Sequence, residues 1–182
     1  MGVLGGCLEY SGAPYYAASA ALASGADLGF VLCGQSAAVP IKCYSPELIV
    51  IPAFDDSGSD EIEEADGVVG TRRGPSGVIS SFVPRLSCLV VGPGLGRSEA
   101  AVRCASAAIQ TASDHGIPIV IDADGLWIVE RDAGQGGDGT VRNALRKSTA
   151  PVVLTPNAAE FARLQRALGL TGNTSSEAAR QP

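Results

Sequence analysis

The chain has 182 residues, 46% of them hydrophobic and 18% charged, with a formal net charge of -6. That length and apolar content suit one domain around one core, and the acidic balance excludes general nucleic-acid binding while leaving room for a local phosphate site. The five cysteines (Cys7, Cys33, Cys43, Cys88, Cys104) form no Cys-x-x-Cys pair and lie mostly in apolar runs, which suits small core residues in a reducing compartment. No apolar run reaches membrane-spanning length, and the start lacks a basic segment followed by a hydrophobic one. The expectation is a cytoplasmic or organellar protein, neither secreted nor membrane-bound, with an upstream targeting segment left open.

Read in order, strands and helices alternate. Residues 3–6 end a strand, Gly5 and Gly6 turn tightly, and Pro14 suits the first turn of an alanine-rich helix ending at Gly25. Strands follow at 28–33 and 48–52, bridged by 35–44, which shows no clear pattern. This order predicts a parallel sheet. Asp55, Asp56, Asp60, Glu61, Glu63, Glu64 and Asp66 crowd one polar stretch, which reads as a solvated loop because like charges so dense repel unless a cation is rigidly held. Arg72 and Arg73 read as an exposed pair or a phosphate contact.

The chain is organised around 89–96, Leu-Val-Val-Gly-Pro-Gly-Leu-Gly. The apolar run is too short for a helix and fits a buried strand. Gly92, Gly94 and Gly96 let a ligand approach backbone, and Ser98 is placed to cap a helix. In open α/β sheets ligands bind beyond the carboxyl ends of strands, where helix-opening amides favour anions. Val102, Ala105, Ile109 and Ala112 give that helix one apolar face, and His115 offsets its C-terminal dipole. Strand 117–121 runs into Asp122-Ala123-Asp124. Two carboxylates so placed suit magnesium or a nucleotide; equally, Asp124 caps the next helix and Asp122 bonds turn amides. Residues 132–140 read as a surface loop and 152–154 as the last strand. Asn157 and Glu160 read as a capping box, opening a helix with Phe161, Leu164 and Leu168 on its apolar face. Residues 169–182 are small and polar, a loop or tail.

Five motifs stand in order: Gly5-Gly-Cys-Leu-Glu-Tyr-Ser-Gly-Ala-Pro-Tyr-Tyr-Ala-Ala18, Lys42-Cys-Tyr-Ser-Pro-Glu-Leu-Ile-Val50, Val91-Gly-Pro-Gly-Leu-Gly-Arg97, Ile121-Asp-Ala-Asp-Gly-Leu-Trp127 and Leu154-Thr-Pro-Asn-Ala-Ala-Glu-Phe161. Together they resemble the ATP-dependent NAD(P)H-hydrate dehydratases, a repair branch of the ribokinase-like superfamily. The resemblance covers nearly the whole chain and implies a three-layer α/β/α fold with a mostly parallel, doubly wound sheet. It implies repair of NADH and NADPH hydrated on the nicotinamide ring: ATP phosphorylates the ring hydroxyl, and phosphate, a better leaving group than hydroxide, departs. By that resemblance Gly96 and Asn157, Ala158, Ala159, Glu160, Phe161, Ala162 and Arg163 contact the hydrated dinucleotide. Glu160 places magnesium and phosphate through water, and Gly94, Asp122 and Asp124 shape their surroundings. ATP is the implied co-substrate and Mg2+ the implied metal; nucleic acid and membrane are not expected partners, and a homo-oligomer is left open.

The family also carries, well after its Asn-x-x-Glu motif, a Lys-Gly strand that helps bind ATP. A Gly-x-Gly-Asp segment follows, supplying the base and the anion hole. Nothing after Arg163 matches either, nor does a His-Lys-Gly region before the first strand, so no catalytic residue is assigned. Gly134-Gln-Gly-Gly-Asp138 is similar only superficially, because it precedes the Asn-x-x-Glu motif. The expectation is an incomplete domain over 1–168, its C-terminal strands and helices missing, with an open sheet edge and poor solubility or stability. Two alternatives stand beside the dehydratase: a ribokinase-like kinase of a vitamin precursor, and a non-catalytic dinucleotide-binding fragment.

Overall fold

The computed structural model describes residues 1–56, 75–134 and 137–170. Six strands, β1 (Gly2–Leu4), β2 (Gly29–Gly34), β3 (Leu48–Phe54), β4 (Leu89–Val91), β5 (Ile119–Ile121) and β6 (Val152–Leu154), form one sheet in the order β3-β2-β1-β4-β5-β6. Every pairing is parallel. Parallel neighbours need crossovers, and these are helical: α1 (Gly12–Ala23), α2 (Gln35–Tyr44), α3 (Pro75–Phe82), α4 (Glu99–Asp114), α5 (Asp124–Ala133) and α6 (Thr140–Lys147), with α7 (Ala158–Ala167) after β6. The expected doubly wound α/β architecture is what forms.

Two apolar layers hold the sheet. On one face, Val3, Val31 and Val50 pack with Ala18 of α1 and Ala37 and Ile41 of α2. On the other, Leu4, Leu32, Leu89, Val91, Ile119 and Ile121 pack against Ile79 of α3 and Ala105, Ile109 and Ala112 of α4. The same core continues to Ile128, Val141 and Leu164. β1 and most of β2 are buried on both faces, as inner strands of a parallel sheet are, and the strands read as continuous apolar runs.

From β1 the chain winds outward through β2 and β3, then crosses to β4 on the other side of β1 and winds outward through β5 and β6. The crossovers therefore diverge between β1 and β4. That divergence makes the carboxyl ends of these two strands the topological switch point, the usual ligand position in open α/β sheets.

Several expectations change. Residues 35–44 are helical despite Pro40 within the helix. The loop expected over 132–140 is helical at its ends: α6 begins at Thr140, and α5 extends through Asp132, whose carboxylate accepts from Val141 N at 3.3 Å and Arg142 N at 2.8 Å and so caps α6. Asp56 is not simply solvated: its carboxylate accepts from the Ser36 amide at 3.1 Å and the Ser36 hydroxyl at the start of α2. Cys7, Cys33 and Cys104 are buried as expected, but Cys43 is exposed and Cys88 half-buried. On α7 only Leu164 is buried; Phe161 and Leu168 are 52% and 41% exposed. Asp60, Glu61, Glu63, Glu64, Asp66, Arg72, Arg73 and residues 171–182 lie outside the described residues. Among the described residues β6 is the last strand on its side of the sheet, with Val153 and Leu154 exposed. Among the described residues no helix is long and apolar enough to cross a membrane.

Candidate functional site

The loops after β1 and β4 are stitched to one another across the switch point. Gly92 N donates to Leu4 O and Gly6 N to Gly94 O, both at 3.0 Å. Gly92 has φ +123 and no room for a side chain, because a Cβ there would overlap Asp122 O and stand 2.5 Å from Gly125 N. Gly94 and Gly96 also take positive φ, packed against Tyr10 and Cys7 respectively. The glycines thus let three loops touch by backbone. Ser98 caps α4 as expected, its hydroxyl accepting from Ala101 N. Cys7 lies beside Gly96 and bonds Glu9 Oε2 at 3.3 Å; burial, then that bond, hold its thiol above the ordinary range, so it stays protonated.

The third loop is a tight turn, Asp122 to Gly125, closed by a 2.8 Å bond from Gly125 N to Asp122 O. Ala123 has φ 46 and ψ -116, the conformation of the first central residue of a type II′ turn, which normally takes glycine. Neither aspartate does what a bare helix start would have it do. Asp124 opens α5 but does not cap it: its carboxylate reaches back to accept from Gly96 N at 3.0 Å and from Arg97 Nε at 3.1 Å. Asp122 Oδ1 accepts not from turn amides but from the Thr155 hydroxyl at 2.8 Å. Arg97 in turn stacks its guanidinium 4.9 Å from the Trp127 ring centroid.

Thr155 N also donates to Ile121 O, so the segment after β6 is tied to the strand before the turn. Two residues on, the capping box of α7 forms in full: Asn157 Oδ1 accepts from Ala159 N and Glu160 N, each at 3.0 Å, and Glu160 Oε2 accepts from Asn157 N at 2.8 Å. Of the residues expected at the site, Gly96 and Asp124 are bonded directly, Asp122 is bonded to Thr155, with Asn157 to Glu160 just beyond it, and Gly94 is bonded to Gly6 in the loop after β1. Phe161 and Ala162 are exposed, and Arg163, one turn further along α7, bonds Glu130 of α5 at 3.2 Å. Asp138 is remote from them. It lies beyond the end of α5, roughly 15 Å of helix from Asp124 at ~1.5 Å per residue. It accepts from Thr140 N, which lowers its pKa and makes it a cap for α6.

Sequence reading passed over Tyr10, Arg97 and Thr155. Arg97 and Thr155 stood inside the quoted motifs, but nothing in their spacing showed that they would grip Asp124 and Asp122. Among the described residues no group of three or more His, Cys, Asp or Glu side chains could hold a metal ion. A cation at this edge would therefore rest on water and ligand oxygens with at most one or two carboxylates, a mode magnesium accepts.

A doubly wound parallel sheet with glycine loops at its β1–β4 divergence has the ribokinase-like α/β fold. Solved structures share that fold: a ribokinase-like superfamily protein from Enterococcus faecalis (TM-score 0.65, 19% identity, 91% of this chain and 47% of that one) and a Streptococcus mutans protein (TM-score 0.63, 20% identity, 91% and 48%). The chain belongs to the NAD(P)H-hydrate dehydratase family, whose model matches residues 1–182. Curated relatives named ATP-dependent (S)-NAD(P)H-hydrate dehydratase include the Bos taurus protein, 43% identical over 170 residues, and the Homo sapiens protein, 43% identical over 169. The Arabidopsis thaliana relative is 41% identical over 169. The chain spans less than half the length of these three relatives: 43%, 41% and 42%.

Proposed function

We propose that the protein performs ATP-dependent dehydration of hydrated NADH and NADPH, returning the reduced dinucleotides. One observation carries the reading: a continuous row of bonds, Gly96 to Asp124 and Asp122 to Thr155, sets the glycine loop, the aspartate turn and the Asn157–Glu160 cap side by side at one sheet edge. In a family whose relatives bear that activity in their names, this row is where the hydrated dinucleotide binds.

The residues fit a magnesium ion held mainly by water. The cap engages Glu160 Oε2, and among the described residues Oε1 has no bond, so it is available to order a metal-bound water without loss of the cap. ATP supplies the phosphoryl group that turns the ring hydroxyl into a leaving group, and magnesium offsets its charge. The chain's own part is positional. Asp124 fixes the Gly96 amide and the Arg97 guanidinium, and Asp122 fixes Thr155, so the backbone facing the ligand is set before it arrives. No residue here is assigned the base that takes the hydroxyl proton.

The test pairs binding with turnover. Hydrated NADPH is titrated into the purified chain by calorimetry, and recovery of reduced-nicotinamide absorbance is followed after adding ATP and magnesium. Saturable binding that Glu160→Gln leaves intact, with ATP-dependent recovery that Glu160→Gln lowers, supports the reading. Absence of any dinucleotide binding overturns it.

A further inference from the structure

Away from the sheet edge, the second halves of α5 and α7 border an open cleft of about 550 Å³ lined by Trp127, Glu130, Arg131, Arg163 and Arg166. Three guanidinium groups face one carboxylate there, in a chain whose net charge is -6. A fourth, that of Arg97, stacks on Trp127, the single tryptophan; Arg131 stacks on the same ring at 5.6 Å. Ion pairing does not account for this concentration. Arg131 meets Glu99 through Nη2 alone and Arg163 meets Glu130 through Nε alone, both as exposed or half-exposed pairs, and such pairs contribute little. Arg166 donates only from Nε, to Ala162 O of its own helix. A guanidinium has five donors in a planar fork, so most of those on Arg131, Arg163 and Arg166 remain for a ligand.

We propose that this cleft is a phosphate subsite that takes the diphosphate of the dinucleotide. The inference rests on the dehydratase reading for its ligand and deepens it. Both helices begin at the sheet edge, with Asp124 and Asn157, and carry their arginines further along. At ~1.5 Å of rise per residue, Arg163 and Arg166 stand roughly 9 and 13.5 Å beyond Asn157. A ligand with its nicotinamide end at Gly96 and Asn157 therefore reaches these forks with the part that carries its negative charge. Arg97 links the two places, touching Asp124 at the edge and Trp127 at the cleft.

The experiment uses Trp127 as its own reporter. Inorganic pyrophosphate and NADPH are titrated separately into the wild-type chain, the Arg131→Ala/Arg166→Ala double variant and Arg166→Glu, with indole fluorescence and calorimetry as readouts and circular dichroism as the check on folding. Both arginines are exposed, and the single charge reversal serves if the double variant fails to fold. The expected result is a fluorescence change with both probes, weakened about tenfold or more in either variant as charge-assisted bonds are lost, and weakened again by added salt. NADPH binding of unchanged affinity in the variants overturns the subsite and leaves the dehydratase reading standing. Arginine-dependent pyrophosphate binding without dinucleotide binding upholds the phosphate site and removes its assignment to a dinucleotide. No response to pyrophosphate in any form overturns the phosphate site.

Discussion

Replacing Ala123 by glycine should stabilise the protein, the reverse of what alanine-to-glycine does almost anywhere else in a helix-rich chain. Ala123 sits at φ 46 and ψ -116, immediately before α5. A side chain held in so sparsely populated a region costs about 1–3 kcal/mol. Against that, glycine adds unfolded-chain freedom worth about 0.4–1 kcal/mol. The position is also the N-cap of α5, where glycine outranks alanine. The balance favours glycine by about 1 kcal/mol, a rise in Tm of about 2–4 °C for a chain of this size. Ala107 in the middle of α4 is the matched control: there glycine should cost about 1 kcal/mol. Urea titrations followed by Trp127 fluorescence read both. If Ala123→Gly lost stability by ~0.5 kcal/mol or more while the control behaved as expected, the turn would not be strained. The argument that the surrounding bonds force it into shape would then fall.

Other substitutions test the same geometry. Gly92→Ala should cost at least about 3 kcal/mol, seen as loss of soluble protein or a collapse in Tm, since the new Cβ overlaps the Asp122 carbonyl at φ +123. Gly25→Ala, at φ +102 with nothing within 4 Å, should lose only the ~1–2 kcal/mol of the backbone conformation. Asn157→Ala removes the acceptor for two amides and should cost about 1 kcal/mol by denaturant titration, whereas Glu160→Gln keeps a carbonyl for the Asn157 amide and should cost less. Burial pushes the thiols of Cys33 and Cys104 from 9.0 up to about 12, Cys33 also through the nearby Asp56 carboxylate. The unfolded chain therefore sheds these protons first, so their contribution is intact below pH 9 and is lost as pH rises toward 12, by up to about 1.4 kcal/mol per pH unit for each thiol. Native alkylation at pH 8 should accordingly mark exposed Cys43 and spare Cys33 and Cys104 until the protein is unfolded.

The strands and the three site segments were legible because their signals are local. Residues 89–91 and 119–121 are buried on one face and half-buried on the other and read as unbroken apolar runs, and Asn157 with Glu160 is a cap whose bonds span three residues. Helix α2 was hidden by Pro40, which breaks the usual pattern but is tolerated near the middle of a ten-residue helix tied at its start by Asp56. Helix α6 was hidden because the amides of Val141 and Arg142 are capped by Asp132, which belongs to the preceding helix, a partnership that only the tertiary fold creates. The exposure of Phe161 and Leu168 had the same cause: helical spacing shows that residues share a face, not that anything lies against it.

The aspartate pair shows most plainly how function and stability are joined here. From spacing, Asp122 and Asp124 admitted either a ligand-binding role or a local role in the helix start. The structure does not show the local role: Asp124 does not cap α5 and Asp122 bonds Thr155 rather than turn amides. Each carboxylate is committed across the sheet edge, Asp124 to the loop after β4 and Asp122 to the loop after β6. Their commitment is what holds Ala123 in a conformation it would otherwise leave. If a ligand's phosphate took over the Gly96 amide and the Arg97 guanidinium, Asp124 would lose both partners and part of the force on the turn would be released. Ala123→Gly therefore tests more than strain. A variant that is more stable yet binds dinucleotide more weakly would show that the strained turn presets the site. A variant more stable and equally good at binding would show that the bonds across the edge suffice without it.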